Sequence, residues 1–414
     1  MTTHLLIYLS GKPAGELRRE GRALSFCYES GYLSRSDALP LSRHLPLQKS
    51  PFADSPSRAF FANLLPEGEI RTQIARQLGV STGNIFAMLE AIGGDCAGAV
   101  SLHPPGVMPG NSRDYQEISD EDMCSRLADL PSHPLLSGEE GVRLSLAGAQ
   151  NKLPIYWDGH CYYVPRGSSP SSHILKTPVP QLADTVINEA FCMNLAQLSG
   201  IPVPRAEVAA INGRQFYRVE RYDRRKLPDG TLVRLHQEDF CQALGVPPEL
   251  KYEAEGGPGI KDCFRLAVEW SDEPALDCLL LLRWNLFNFM IGNADAHAKN
   301  LSFIYSDGKI RLAPFYDLLS TTVYPRLSSK FAMRVGGQKD SRYLMTQHAA
   351  RFAADAGIAL RVVRKEWNIL MQRMEAGIAQ LTAEYDDKFA RPAIIADICR
   401  IVSQRSAKGK AVLG

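Results

Sequence analysis

The chain has 414 residues, 45% of them hydrophobic and 22% charged, a balance that excludes disorder and leaves room for two or three folded domains. A formal charge of +2 and a pI near 8.0 exclude a nucleic-acid binder recognised by bulk charge, so any DNA contact needs a local patch or a partner. The nine cysteines show no C-x-x-C and no paired metal spacing, which reads as mostly buried thiols in a reducing compartment.

Residues 4–33 alternate apolar and polar around Gly11-Lys12-Pro13 and Glu20-Gly21-Arg22, the pattern of a small antiparallel sheet. Helices are predicted over 70–78 and 85–92, and a strand over 95–102. A linker runs from Pro104-Pro105 to Gly110-Asn111-Ser112, and Ser119 with Asp122 caps a helix ending at Leu130. With a boundary near 140, strands follow at 142–146, 153–157, 161–164 and 173–176, with Asp158-Gly159 as a hairpin turn. A helix over 185–199 ends at Gly200, and strands 207–211 and 215–220 flank Asn212-Gly213. Beyond Glu238 the pattern is mostly helical. The apolar run 276–291 is interrupted by Arg283, Asn285 and Asn288 and reads as a buried helix too short and polar to cross a bilayer. The N-terminal MTTHLLIYLSGK lacks the basic start and long apolar core of a signal peptide. A cytoplasmic protein without membrane contact is expected.

The chemistry concentrates in Gly292-Asn293-Ala294-Asp295-Ala296-His297-Ala298-Lys299-Asn300 and Pro314-Phe315-Tyr316-Asp317. Asp295 and Asn300 are five positions apart, with Asp317 about twenty residues on from Asp295. That is the spacing of phosphoryl-transfer loops, in which the first Asp takes the acceptor's proton and the Asn and later Asp hold Mg²⁺. Strands at 302–305 and 310–313 around Asp307-Gly308 place these residues on loops at the ends of rigid elements. His297 and Lys299 stand ready to steady the loop or touch phosphate. Ser145-Leu146-Ala147-Gly148-Ala149-Gln150-Asn151-Lys152 is rich in small residues that let backbone amides approach phosphates, although it holds one Gly. Lys176 ends a strand, where a kinase lysine meets the α and β phosphates, and Glu189 on the next helix is its candidate partner. Val219-Glu220-Arg221-Tyr222-Asp223 lies in the position of an adenine hinge, which acts through its backbone. The whole reads as α+β: a two-lobed protein-kinase-like fold, with a small β-rich N-lobe, an extra N-terminal subdomain and a larger, mostly helical C-lobe. The expected divisions are 1–139, 140–222 and 223–414.

Taken in order, these segments resemble the HipA family, the kinase toxins of bacterial HipBA toxin–antitoxin modules. The resemblance is carried by Phe60-Phe61-x-Asn63-Leu64-Leu65-Pro66, residues 142–152, His173-Ile174-x-Lys176, Val219-Glu220-Arg221-Tyr222-Asp223-Arg224, residues 255–260, Asp295 to Asn300 and Pro314 to Ser320. It implies Asp295 as catalytic base and Asn300 and Asp317 as Mg²⁺ ligands. It puts ATP phosphates on Lys176 and on Ala147, Gly148, Ala149, Gln150, Asn151 and Lys152, with adenine at Glu220, Arg221 and Tyr222. His297, Lys299 and Tyr316 complete the expected nucleotide site, and Ser145 matches the family's autophosphorylated serine. The resemblance further implies a serine/threonine kinase acting on glutamyl-tRNA synthetase, bound to a helix-turn-helix antitoxin of the HipB type and through it to operator DNA. Ala294 and Ala296 depart from the family's Thr and Gly, and the likeness weakens after Tyr324. Late basic residues, Arg361, Arg364, Lys365, Arg391, Arg400, Arg405, Lys408 and Lys410, are candidates for DNA phosphates or a solvated helix face. A small-molecule phosphotransferase and a non-catalytic corepressor are the competing readings.

Overall fold

The computed structural model describes residues 3–109, 113–139 and 141–413; the end of the expected linker, Gly110-Asn111-Ser112, and the boundary position 140 lie outside the described residues. The chain divides into two compact units. One comprises Met1–Thr177, Ala209–Glu249 and Ile304–Gly308, the other Pro178–Val208, Leu250–Phe303 and Lys309–Gly414.

In the first unit, the alternating N-terminal stretch forms β1 (His4–Leu9), β2 (Lys12–Glu20) and β3 (Ala23–Tyr28), and β4 (Val100–His103) pairs with the free side of β1. The period of two turns Leu5, Ile7, Leu17, Leu24 and Phe26 inward. They share a core with Phe60 and Phe61 of the Asp54–Ala62 helix and Phe86 and Leu89 of the Ile85–Ile92 helix. Burying each such side chain stabilises the unit by roughly 1.5–3 kcal/mol. The Asp54–Ala62 helix was not legible in the sequence, because its first turn, Asp54-Ser55-Pro56-Ser57, is polar and its large apolar residues come only in its last turn.

A second sheet has six strands in the order β5-β7-β6-β8-β10-β9. They are β5 (Tyr115–Ile118), β6 (Lys152–Trp157), β7 (Tyr162–Pro165), β8 (His173–Lys176), β9 (Ala206–Ile211) and β10 (Arg214–Glu220). The strand expected over 142–146 is not one: Leu144 makes a single bridge to Asp95. Its backbone bonds instead go to the chain before β4, Asp95 N–H to the Arg143 carbonyl at 2.8 Å and Ser145 N–H to the Asp95 carbonyl at 3.0 Å. Three further short strands, Arg224–Lys226, Leu232–Arg234 and His236–Asp239, follow β10 and were not expected.

The second unit is mainly helical, with Thr185–Leu198, Ile260–Trp270, Pro274–Ile291, Thr346–Asp355, Leu360–Phe389 and Ala393–Leu413. Pro274–Ile291 lies in the core, packed by the Ile260–Trp270 helix before it and by the last two helices. Pro at its start makes it longer than the apolar run suggested, and by length and composition alone it is long enough to cross a membrane. It is nonetheless 56% buried within the protein, and its fully buried Asp277 is held by Arg311 at 2.8 Å. The nine cysteines are thiols, with no disulfide among the described residues.

Candidate active site

In the second unit, the Pro274–Ile291 helix stops at Gly292, whose φ of +71° turns the chain out of the helix. A Cβ there would also lie 2.2 Å from Thr322 Oγ1, so the position requires glycine twice over. Asn293 then organises the loop. Its Nδ2 donates to Asn288 Oδ1 at 2.8 Å, and its Oδ1 accepts the Asp295 N–H at 3.0 Å. Ala294 N–H donates to Thr321 Oγ1 at 2.8 Å. The backbone leading into Asp295 is therefore held while its side chain stays exposed, the placement a base needs to meet an incoming hydroxyl.

His297, Lys299 and Asn300 turn inward and are nearly buried. Asn300 Oδ1 accepts the His297 N–H at 3.1 Å, closing the turn between them. Asp317 takes a left-handed backbone conformation, φ 54°, a region that few side chains other than Asn and Asp tolerate and that often marks functional positions. This brings its Oδ2 within 3.5 Å of Asn300 Nδ2. Tyr316 OH donates to the Lys299 carbonyl at 2.7 Å, tying the two segments together. Asn188, from the Thr185–Leu198 helix, clasps the peptide at Ser320: Oδ1 accepts the Ser320 N–H at 2.8 Å and Nδ2 donates to its carbonyl at 2.9 Å.

Asp295, His297, Lys299, Asn300, Tyr316 and Asp317 are thus assembled in one unit. The oxygen donors of Asn300 and Asp317 suit a hard cation such as Mg²⁺, which takes one or two protein carboxylates and fills its remaining positions with phosphate oxygens and water. Among the described residues no group of three or more His, Cys, Asp or Glu could hold a metal by itself. Sequence reasoning assigned no role to Asn293, Asn188, Thr321 or Tyr252. The adjacency of Asn293 to Asp295 was a usable signal, whereas the others come from distant elements.

The first unit carries the remaining candidates except Glu189, which is buried on the Thr185–Leu198 helix of the second unit. Register across β6, β8 and β10 sets Lys152 opposite Lys176 and Lys176 opposite Tyr217, with Lys176 Nζ over the Tyr217 ring at 5.5 Å. Two lysines directly opposite one another repel, and an anion on that face relieves the repulsion, which suits polyphosphate. Lys152 Nζ donates back to the Ala147 carbonyl, and a Cβ at Gly148 would fall 2.6 Å from that ammonium. The loop is anchored where Glu67 N–H donates to the Gly148 carbonyl at 3.1 Å. Ala149 is exposed, Gln150 reaches the Thr177 carbonyl at 3.5 Å, and the buried Oδ1 of Asn151 has no donor among the described residues. Ser145 is fully buried, its Oγ donating to the Leu64 carbonyl at 2.8 Å.

At the expected hinge, Glu220 pairs in register with His173, and Tyr222 OH donates to Gln237 Oε1. The Arg221 side chain turns into the interior, where it meets Asp223 at 2.7 Å and Asp95 at 3.2 Å. Only its backbone is left to act at a ligand. Asp95 also receives Arg224 at 2.8 Å and Arg234 at 2.7 Å. Burial alone would raise the Asp95 carboxyl, but the three guanidiniums outweigh it and hold that group far below the ordinary carboxylate range.

Comparison with known proteins accounts for both units. The HipA N-terminal domain family matches residues 5–103 and the HipA-like C-terminal domain family matches 144–386. The protein Y4mE of Sinorhizobium fredii, which carries a kinase name, is 42% identical over 98% of each chain. The serine/threonine-protein kinase toxin HipA of Shewanella oneidensis is 31% identical over 92% of this chain and 89% of that one. A solved HipA from Shewanella oneidensis MR-1, in complex with HipB and its operator DNA, superposes with a TM-score of 0.84 at 28% identity, covering 98% of this chain and 96% of that one. Matched over nearly its whole length in sequence and in fold, the chain belongs to the HipA family of serine/threonine kinase toxins.

Proposed function

We propose that this chain is an ATP-dependent protein serine/threonine kinase that acts as the toxin of a HipBA-type module. The observation that carries the reading is the approach of Asn300 to Asp317 on the loop that leaves Asp295 exposed. Asp295 accepts the proton of the acceptor hydroxyl as its oxygen bonds to the γ-phosphorus and ADP leaves. Asn300 and Asp317 hold Mg²⁺, which neutralises charge on the phosphates. Lys176 and residues Ala147 to Lys152 take the α and β phosphates, Lys299 and His297 steady the loop, and the backbone of Glu220 to Tyr222 takes adenine. The division into an N-terminal subdomain, 1–139, a phosphate-binding segment, 140–222, and a catalytic segment, 223–414, belongs to the same reading.

The Shewanella oneidensis HipA solved with HipB and operator DNA supports a helix-turn-helix antitoxin of the HipB type as partner, with corepression at the operator through it. A translation protein, glutamyl-tRNA synthetase by family resemblance, is the proposed substrate, and autophosphorylation at Ser145 the proposed off-switch. The test is incubation of purified chain with γ-labelled ATP and Mg²⁺ in whole-cell lysate. A labelled protein band that vanishes with Asp295→Ala is expected. Label confined to small molecules would favour the phosphotransferase reading, and no label in either form would leave only the corepressor.

A further inference from the structure

The segment 255–260 belongs to the stretches that carry the family resemblance, yet base, metal and phosphate roles leave it without a task. In the structure it closes a short loop beneath Tyr252. The Tyr252 carbonyl accepts N–H groups from Glu255 and Gly257, both at 3.0 Å, and a Cβ on Gly257 would lie 1.9 Å from the Leu250 carbonyl oxygen. One residue on, Glu253 Oε2 accepts the Arg334 N–H at 2.5 Å. The Tyr252 ring meets His297 edge-on, centroids 5.3 Å apart at 71°. Its hydroxyl, so aimed, donates to Asp295 Oδ1 at 2.8 Å. No other donor reaches that carboxylate among the described residues.

We infer that Tyr252 is a positioning residue for Asp295: by holding Oδ1 it fixes the carboxylate's rotation and leaves Oδ2 to receive the acceptor hydroxyl. The inference rests on Asp295 being the base. An exposed carboxylate otherwise rotates about its last two side-chain bonds, and a base that must find its orientation at each encounter loses rate, not nucleotide affinity. One tethered oxygen removes that freedom while the second keeps its lone pairs.

The experiment uses full-length chain, γ-labelled ATP with Mg²⁺, and single-turnover phosphorylation of the chain itself and of lysate protein. Tyr252→Phe keeps the ring against His297, so its melting temperature, its Mg·ATP dissociation constant and its KM for ATP should match wild type. Its single-turnover rate should fall about tenfold, the effect of losing one hydrogen bond to a charged group. Tyr252→His, which restores an N–H donor on a ring, should recover part of that rate. A Phe variant as fast as wild type or faster, or Phe and His variants equally slow, would overturn the inference while a dead Asp295→Ala leaves the base intact. An Asp295→Ala as active as wild type, or a wild type that transfers nothing, would overturn the base and with it the role of Tyr252.

Discussion

Ser145 Oγ donates to the Leu64 carbonyl at 2.8 Å, with no part of Ser145 exposed to solvent. A phosphate there carries about −1.5 to −2 charge and cannot stay in that seat, so Ser145 must leave it and pull on the following residues, Ala147 to Lys152. The phosphorylated form should therefore bind Mg·ATP far more weakly than the unmodified one. Mass spectrometry of chain made from active and Asp295→Ala genes checks the modification, and nucleotide titration checks its effect. Equal ATP binding by both forms would rule the switch out.

Asp317 and Asp295 should fail differently. Asp317→Ala removes a proposed metal ligand and should weaken Mg·ATP binding by about tenfold or more. Asp295→Ala should bind Mg·ATP as wild type does while transfer falls by about 10²–10⁴. Calorimetry on both variants separates the two, and unaltered nucleotide affinity in Asp317→Ala would remove it from the metal site.

Arg221→Ala leaves Asp95 and Asp223 buried with fewer counter-charges. Breaking a buried ion pair from one side costs about 3–5 kcal/mol, so the midpoint of urea unfolding should drop sharply. The depressed Asp95 carboxyl stabilises the fold above its unfolded value, 3.8, and that stabilisation is lost as pH falls below it toward the folded value. Wild type should therefore lose stability below about pH 4.

Glu238 shows the opposite sign. Burial pushes its carboxyl up to about 7, although Ser42, Tyr305 and the Arg43 N–H bond to it and draw it down, while neighbouring Asp239 adds to the rise. The folded chain keeps a proton that the unfolded chain releases near 4.5, so stability declines as pH rises from about 4.5 to about 7. Glu238→Gln should flatten that decline. Parallel stability–pH curves for the two proteins would contradict it.

Among the late basic residues, Arg361, Arg364, Lys365, Arg391, Arg400 and Lys410 are exposed, whereas Arg405 is packed over Phe289 at 5.3 Å. If the exposed set meets operator phosphates beside an antitoxin, each contact should steepen the dependence of log K on log salt by about 0.9. Alanine at Arg361, Arg364 and Lys365 should return that slope toward the antitoxin's own, and Arg405→Ala should not.

What could be read beforehand was local. The Asp295 to Asn300 loop was legible because its spacing is short and Gly292 marks where the preceding helix must end. The Ile85–Ile92 helix and β8 were found at their observed limits, since period and flanking turns agree there. The Arg221 side chain gave no such signal: it pairs with Asp95, 126 residues away, and only folding brings them together. Strand 142–146 was misread for a related reason, because alternating burial arises wherever a segment lies against a core, paired in a ladder or not.

The clasp of Asn188 on the Ser320 peptide also bears on the order in which the segment around Asp317 can form as the chain is made. The residue that anchors the segment around Asp317 is synthesised 132 positions before the peptide it grips, and Tyr324 OH closes the same corner on the Ala183 carbonyl at 2.9 Å. A ribosome that has produced Asp317 has still not supplied the Ser320 and Tyr324 groups that fix the segment around it. Both ties can close only after residue 324 has emerged and folded back. Translation that stops before that point should yield fragments whose segment around Asp317 lacks both ties, an order imposed by the sequence itself.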